Sequence, residues 1–195
     1  MSTIRSILPD KINRPMMYVI GNLQCRLQYY IDNQFTASQI SERIYVGDLA
    51  SASNKLAMHK NQITHVLCVL NGAYRIYADD FVYHVIHLND DPWVSIGDWF
   101  EQSNQFIDTA MRDGKSLMIH CQHGISRSVT LLVAYYLYQH NKSYGIELDM
   151  IDQLIGQLID MVKMSREIAE PNHGFVEELR AYARTLHWNG IMVSD

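Results

Sequence analysis

Apolar positions along this chain follow two periods in alternation. Short runs rich in β-branched and aromatic residues, RIYVG (43–47), THVLCVL (64–70), FVYHVIHL (81–88) and SLMIH (116–120), predict strands. Between and after them, apolar residues recur every three or four positions and predict helices over 49–60, 96–112, 126–140, 148–162 and 175–186. The second of these puts Ile96, Trp99, Phe100, Phe106, Ile107 and Met111 on one face, while the third is apolar on most sides and is therefore central. Strands alternating with helices imply an α/β fold with a central, mainly parallel twisted sheet flanked by helices.

Residues 1–38 stand apart and read as an N-terminal extension before a single domain over 39–190. Within 1–31, Arg5, Lys11, Arg14 and Arg26 face one acid, Asp10, and Met16, Ile20, Leu23, Leu27 and Tyr30 form one apolar stripe at helical spacing. The simplest expectation is a helix packed on its own domain. The alternatives are an arm that pairs two copies through residues 16–31 or docks a partner and, more weakly, a mitochondrial presequence.

Composition narrows the partners. The 195 residues are 48% hydrophobic and 19% charged with a net charge of −5, which gives no bulk attraction to nucleic acid or an anionic membrane. No apolar run is long enough to span a bilayer, and residues 1–10 lack the features of a signal peptide. Cys25, Cys68 and Cys121 are odd in number and widely spaced, which suits a reducing, cytoplasmic setting with nuclear entry left open. The nine histidines show no HExxH or Cys/His ligand spacing, so neither a metal nor an organic cofactor is expected. Gly114-Lys115-Ser116 resembles the end of a nucleotide-binding loop, but Thr109 stands where its first glycine belongs and a strand follows, so it reads as a turn.

The chemistry concentrates in IHCQHGISRS (119–128), between the last predicted strand and the central helix. A strand-to-helix loop at the carboxyl end of a parallel strand is where open α/β sheets bind ligands, and the free N–H groups of a helix start suit a phosphate dianion. The cradle comprises Gln122, His123, Gly124, Ile125, Ser126 and Arg127. Gly124 permits the bend, and the Arg127 guanidinium grips two phosphate oxygens. The same field lowers the pKa of Cys121 and makes its thiolate a nucleophile aimed at phosphorus. The Ser128 hydroxyl eases departure of that sulfur when water cleaves the thiophosphate.

The nine residues His120 to Ser128 resemble the HCxxGxxR[ST] loop of cysteine-dependent protein phosphatases, most closely the dual-specificity branch. The resemblance runs from about Ile40 to Tyr182 through RIYVGDLASA (43–52), ITHVLCVL (63–70), Asp98-Trp99-Phe100 and EPNHGFVEEL (170–179). It implies a protein tyrosine phosphatase-like fold and hydrolysis of phosphotyrosine and phosphoserine/phosphothreonine in a phosphoprotein substrate. It also implies a general acid some thirty residues before the cysteine, which HLNDDPWVS (87–95) supplies as Asp90, with Asp91 as the neighbouring alternative. By the same resemblance His120 orients the loop and favours the thiolate, and Asn172 ties the last helix to the site.

Several positions depart from that pattern. His123 gives an HCxHG form that also resembles RNA 5′-triphosphatases, but Ser126 and Ser128-Val129 replace their Asn and Thr-Gly; RNA is the runner-up substrate. The lysines that phosphoinositide phosphatases usually place in the loop are absent, and no tyrosine-recognition loop is evident, which predicts a shallow pocket. Cys68 replaces the usual Asn and reads as a small core residue, the alternative being a disulfide with Cys121 under oxidation. The stretch 141–170 is longer than usual and is expected mostly to pack. A rival of another class is a pseudophosphatase that binds phosphoproteins without turnover.

Overall fold

The computed structural model describes residues 35–72 and 75–192, with side chains to residue 187. The strands are β1 (Ser38–Ser41), β2 (Ile44–Gly47), β3 (Ile63–Val69), β4 (Val82–Ile86) and β5 (Ser116–His120). They form one sheet in the order β1-β2-β5-β3-β4, parallel throughout except for the β1–β2 pair. The helices are α1 (Leu49–Ala52), α2 (Lys55–Lys60), α3 (Phe100–Arg112), α4 (Arg127–Tyr144), α5 (Ile151–Ser165) and α6 (His173–Met192). Short 3-10 turns at Gly97–Trp99 and Leu148–Met150 lead into α3 and α5.

Strand residues alternate between two cores, as the pleat requires. Leu67 and Val69 of β3 and Leu117 and Ile119 of β5 face a large core with α3, α4, α5 and α6. Val66, Cys68 and Met118 face a smaller one with Ala52, Met58 and Phe81. Both faces of the sheet are thus covered, which explains why its central strands read as continuous apolar runs. Burial of a side chain such as Leu131 or Phe175, both fully covered, contributes about 1.5–3 kcal/mol.

Three local features differ from the sequence expectations. The single helix over 49–60 is two, because Asn54 turns its carboxamide oxygen to the Ala57 N–H (3.0 Å) and starts α2 afresh. Strand β1 carries no apolar pattern, since SQIS lies on the sheet edge and only alternate residues are half-buried. The expected boundary at residue 38 falls inside this strand. Phe35 and Ala37 pack on the smaller core, and Thr36 bonds to Asp48 and Ser51. Residues 35–38 therefore belong to the domain, and the predicted amphipathic stripe at 16–30 lies outside the described residues. Among the described residues, no helix is long and apolar enough to cross a membrane, and no group of three or more His, Cys, Asp or Glu could hold a metal.

Strands β2, β5, β3 and β4 all end at one edge of the sheet. Gly47, His120 and the segment after Ile86 bring three loops together there, against the N-terminus of α4.

Candidate active site

The segment Cys121–Ser126 joins β5 to α4, and its backbone is tied down from outside. The Gln122 carbonyl accepts from the Leu49 N–H (3.3 Å) and the Ile125 carbonyl from the Glu170 N–H (2.9 Å). Between them, Arg166 Nη2 donates to the His123 carbonyl (2.9 Å) and Arg166 Nε to the Gly124 carbonyl (2.5 Å). The Ser126 carbonyl accepts from the Thr130 N–H (2.8 Å) within α4. Five successive carbonyls are thus engaged away from the loop's centre, and peptide planarity turns the following N–H groups the opposite way. The Gly124 N–H accordingly points at Cys121 Sγ (3.2 Å). Successive inward N–H groups ahead of a helix start form an anion-binding nest.

Gly124 is required at this point. It sits at φ +66°, and a Cβ there would come 2.5 Å from both the Gly47 carbonyl oxygen and Arg166 Nη2. Ser126 occupies the N-cap of α4 but makes no side-chain cap. Its hydroxyl instead donates to Asp90 Oδ1 (2.7 Å), so it does not occupy the first-turn N–H groups of α4.

Cys121 forms the floor of the cradle and is 1% exposed. Burial alone would raise its pKa, but the Ser128 hydroxyl (3.4 Å from Sγ), the Ser128 N–H, the Arg127 charge and the His123 N–H outweigh it and hold the thiol below its usual range. Cys68 behaves oppositely: burial, reinforced by Cys121, pushes its thiol up to about 12. Its Cα lies in register with His120. His120 is fully buried, and burial drives its pKa down to about 4. The ring is therefore neutral near pH 7, and its contact with the loop is Nδ1 to the Cys121 carbonyl (3.4 Å). It offers the thiolate no positive charge, and it meets the loop through that hydrogen bond.

Arg127 begins α4 with its guanidinium folded back under the loop, 6% exposed. Nη1 donates to the Leu88 carbonyl (2.8 Å), while Nε makes no hydrogen bond and lies 3.4 Å from Asp90 Oδ2. A buried guanidinium needs acceptors, and this one has the Leu88 carbonyl and the charge of the Asp90 carboxylate.

The two neighbouring aspartates part company. Asp90 Oδ1 accepts from Ser126 Oγ and from Asn172 Nδ2 (2.8 Å), which places its carboxyl over the loop. Asp91 points away and accepts the Trp93 N–H (3.0 Å) in a tight turn. Asn172 also caps α6, accepting the Phe175 N–H on Oδ1 (3.0 Å), and its own N–H donates to Ser126 Oγ (3.2 Å). The loop after β4, the cradle and the start of α6 thus share one hydrogen-bond network. Of the cradle residues, Gln122 and His123 are exposed and Ile125 is half-buried.

Sequence reasoning missed Arg166. A lone arginine at a helix end reads as a solvated charge, yet this one is 5% exposed and also donates to the Thr36 carbonyl (3.0 Å). The long 141–170 stretch therefore does more than pack, since it carries the side chain that fixes two cradle carbonyls. Its partners lie 42 and 43 residues upstream, beyond the reach of any local pattern.

Comparison with known proteins agrees with this geometry. The family model for the dual specificity phosphatase catalytic domain matches residues 44–185. Dual specificity protein phosphatase 1 of Arabidopsis thaliana is 30% identical over 177 residues, covering 91% of this chain and 83% of that protein. Dual specificity protein phosphatase 1B of the same plant is 32% identical over 152 residues, covering 78% of this chain and 84% of that one. Among solved structures, a mouse putative dual specificity phosphatase complexed with zinc tungstate superposes with a TM-score of 0.70 at 24% identity, covering 81% of this chain and 92% of that one. The strand–loop–helix carrying Cys121 and Arg127 lies within the matched region, and the chain belongs to the dual specificity phosphatase family.

Proposed function

We propose that this protein hydrolyses phosphotyrosine and phosphoserine/phosphothreonine in protein substrates through a phosphocysteine on Cys121. The observation that carries the reading is the loop whose carbonyls are all bonded outward around a buried, acid-shifted thiol. Such a site binds a phosphate dianion directly above a nucleophile.

In the first step Cys121 Sγ attacks phosphorus, an S–P bond forms and the bond to the leaving oxygen breaks. The proton on Asp90 passes to that oxygen. Loop N–H groups and the Arg127 guanidinium stabilise the equatorial oxygens, where charge builds up. In the second step Asp90, now a carboxylate, takes a proton from water as the water oxygen attacks phosphorus. The S–P bond breaks, the Ser128 hydroxyl donates to the departing thiolate, and inorganic phosphate leaves. Asp90 suits both steps because Ser126 and Asn172 hold it over the loop, whereas Asp91 is occupied in its own turn.

The test compares wild type with Cys121→Ser on phosphotyrosine and phosphothreonine peptides, phosphoinositides and 5′-triphosphate RNA. Cys121-dependent release of phosphate from both peptides is expected. Preference for RNA, or binding of phosphopeptides with no turnover, would overturn the reading. No observation at the site favours the RNA or the binding-module alternative, and both Cys121 and Arg127 are present.

A further inference from the structure

Trp93 is 86% exposed, an unusual state for so large an aromatic ring three residues after the proposed general acid. The backbone beneath it is fixed. The Asp91 carboxylate accepts the Trp93 N–H, and Pro92 sits on α6 so closely that a Cβ on Gly174 would come 1.9 Å from the Pro92 carbonyl oxygen. The indole meets the His173 ring edge-on, with centroids 6.0 Å apart at 83°. His173 follows Asn172, which bonds Asp90, so both rings are mounted on residues that flank the acid.

Charge says what such a platform would take. Residues 87–99 and 167–174, which carry the two rings, contain Asp90, Asp91, Asp98, Glu167 and Glu170 and no lysine or arginine. The Glu170 N–H bonds the Ile125 carbonyl, which puts that residue on the rim of the same cradle. An exposed indole sharing a tight turn with the Asp91 carboxylate attracts a cation through its ring face and that neighbouring charge.

Taking the phosphatase reading above as given, we infer that Trp93, Asp91 and His173 form a subsite for a lysine or arginine side chain of the substrate protein, close in sequence to the phosphorylated residue. Three residues span at most about 11 Å, so Trp93 serves substrate positions one to three removed from the phosphoresidue. The platform is presented rigidly, so little ordering is lost on contact.

The test measures kcat/KM on phosphothreonine peptides carrying Arg, Leu or Glu at positions one to three from the phosphoresidue, with 4-nitrophenyl phosphate as a substrate too small to reach Trp93. Wild type is expected to prefer the Arg peptide over the Leu peptide by about fivefold. Trp93→Ala should erase that preference through KM and leave 4-nitrophenyl phosphate turnover at the wild-type level, and Trp93→Phe should keep part of it. No preference, a preference for Leu, or an equal loss on 4-nitrophenyl phosphate overturns the subsite while leaving the phosphatase reading intact. If 4-nitrophenyl phosphate is not hydrolysed in a Cys121-dependent way, the phosphatase reading fails and the subsite falls with it.

Discussion

Arg166 holds the His123–Gly124 peptide from outside the cradle: Nη2 donates to the His123 carbonyl at 2.9 Å while the Gly124 N–H, on the inner side of the same peptide, reaches Cys121 Sγ at 3.2 Å. One side chain at the end of α5 thereby turns a peptide unit so that its donor faces the nucleophile. Arg166→Lys keeps the charge but cannot span the His123, Gly124 and Thr36 carbonyls together. Inhibition by inorganic phosphate is expected to weaken about tenfold and kcat/KM to fall about 10–100-fold, each lost charged hydrogen bond being worth about 1.5–3 kcal/mol. Wild-type phosphate affinity in this variant would remove Arg166 from the site.

Asp90 and Asp91 separate by leaving group. Protonation matters most for a poor leaving group, so Asp90→Asn should slow hydrolysis of an alkyl phosphate by about 10²–10⁴-fold and of an aryl phosphate far less. Asp91→Asn should leave the alkyl-to-aryl ratio unchanged. The reverse result would transfer the general acid to Asp91.

The thiol of Cys121 is deprotonated at a lower pH than a free cysteine. Its alkylation rate by iodoacetamide, followed against pH, should reach its plateau below the ordinary thiol range. Ser128→Ala removes a hydrogen bond to the thiolate and should move that profile to higher pH. An unmoved profile would deny Ser128 its contact with sulfur.

His120 makes stability depend on pH. Its pKa falls from 6.5 in the unfolded chain to about 4 when buried, so between those values the unfolded state binds more protons and stability rises with pH. The contribution is complete above about pH 6.5 and is lost as pH drops toward 4, on the order of 3 kcal/mol in all. Urea midpoints at pH 7 and pH 5 should differ more for wild type than for His120→Asn. Equal differences would mean the ring is not buried neutral.

Most of the fold was legible because the parallel strands are buried on both faces and read as apolar runs; SLMIH matches β5 residue for residue. The cradle was legible because its chemistry needs fixed residue types at fixed spacing. What escaped notice depends on contacts distant in sequence or on positions without a pattern. Arg166 is set by carbonyls over forty residues away. Ser126 reads as a cradle residue at the start of a helix, and nothing near it in sequence shows that its hydroxyl bonds a carboxylate 36 residues upstream. Strand β1 is a polar edge, and Asn54 breaks a helical period that continues through it. The environment of His120 could not be anticipated either, because neutrality follows from complete burial and not from its neighbours in sequence.

The central claim is a covalent phosphocysteine on Cys121. Ser128→Ala slows departure of sulfur in the second step, so mixing this variant with 4-nitrophenyl phosphate and quenching in acid should trap the intermediate. The account predicts a burst of nitrophenol of one equivalent per active site and one phosphoryl group on the peptide that contains Cys121. Turnover with no burst and no phosphopeptide, or phosphate carried on any other residue, would contradict it.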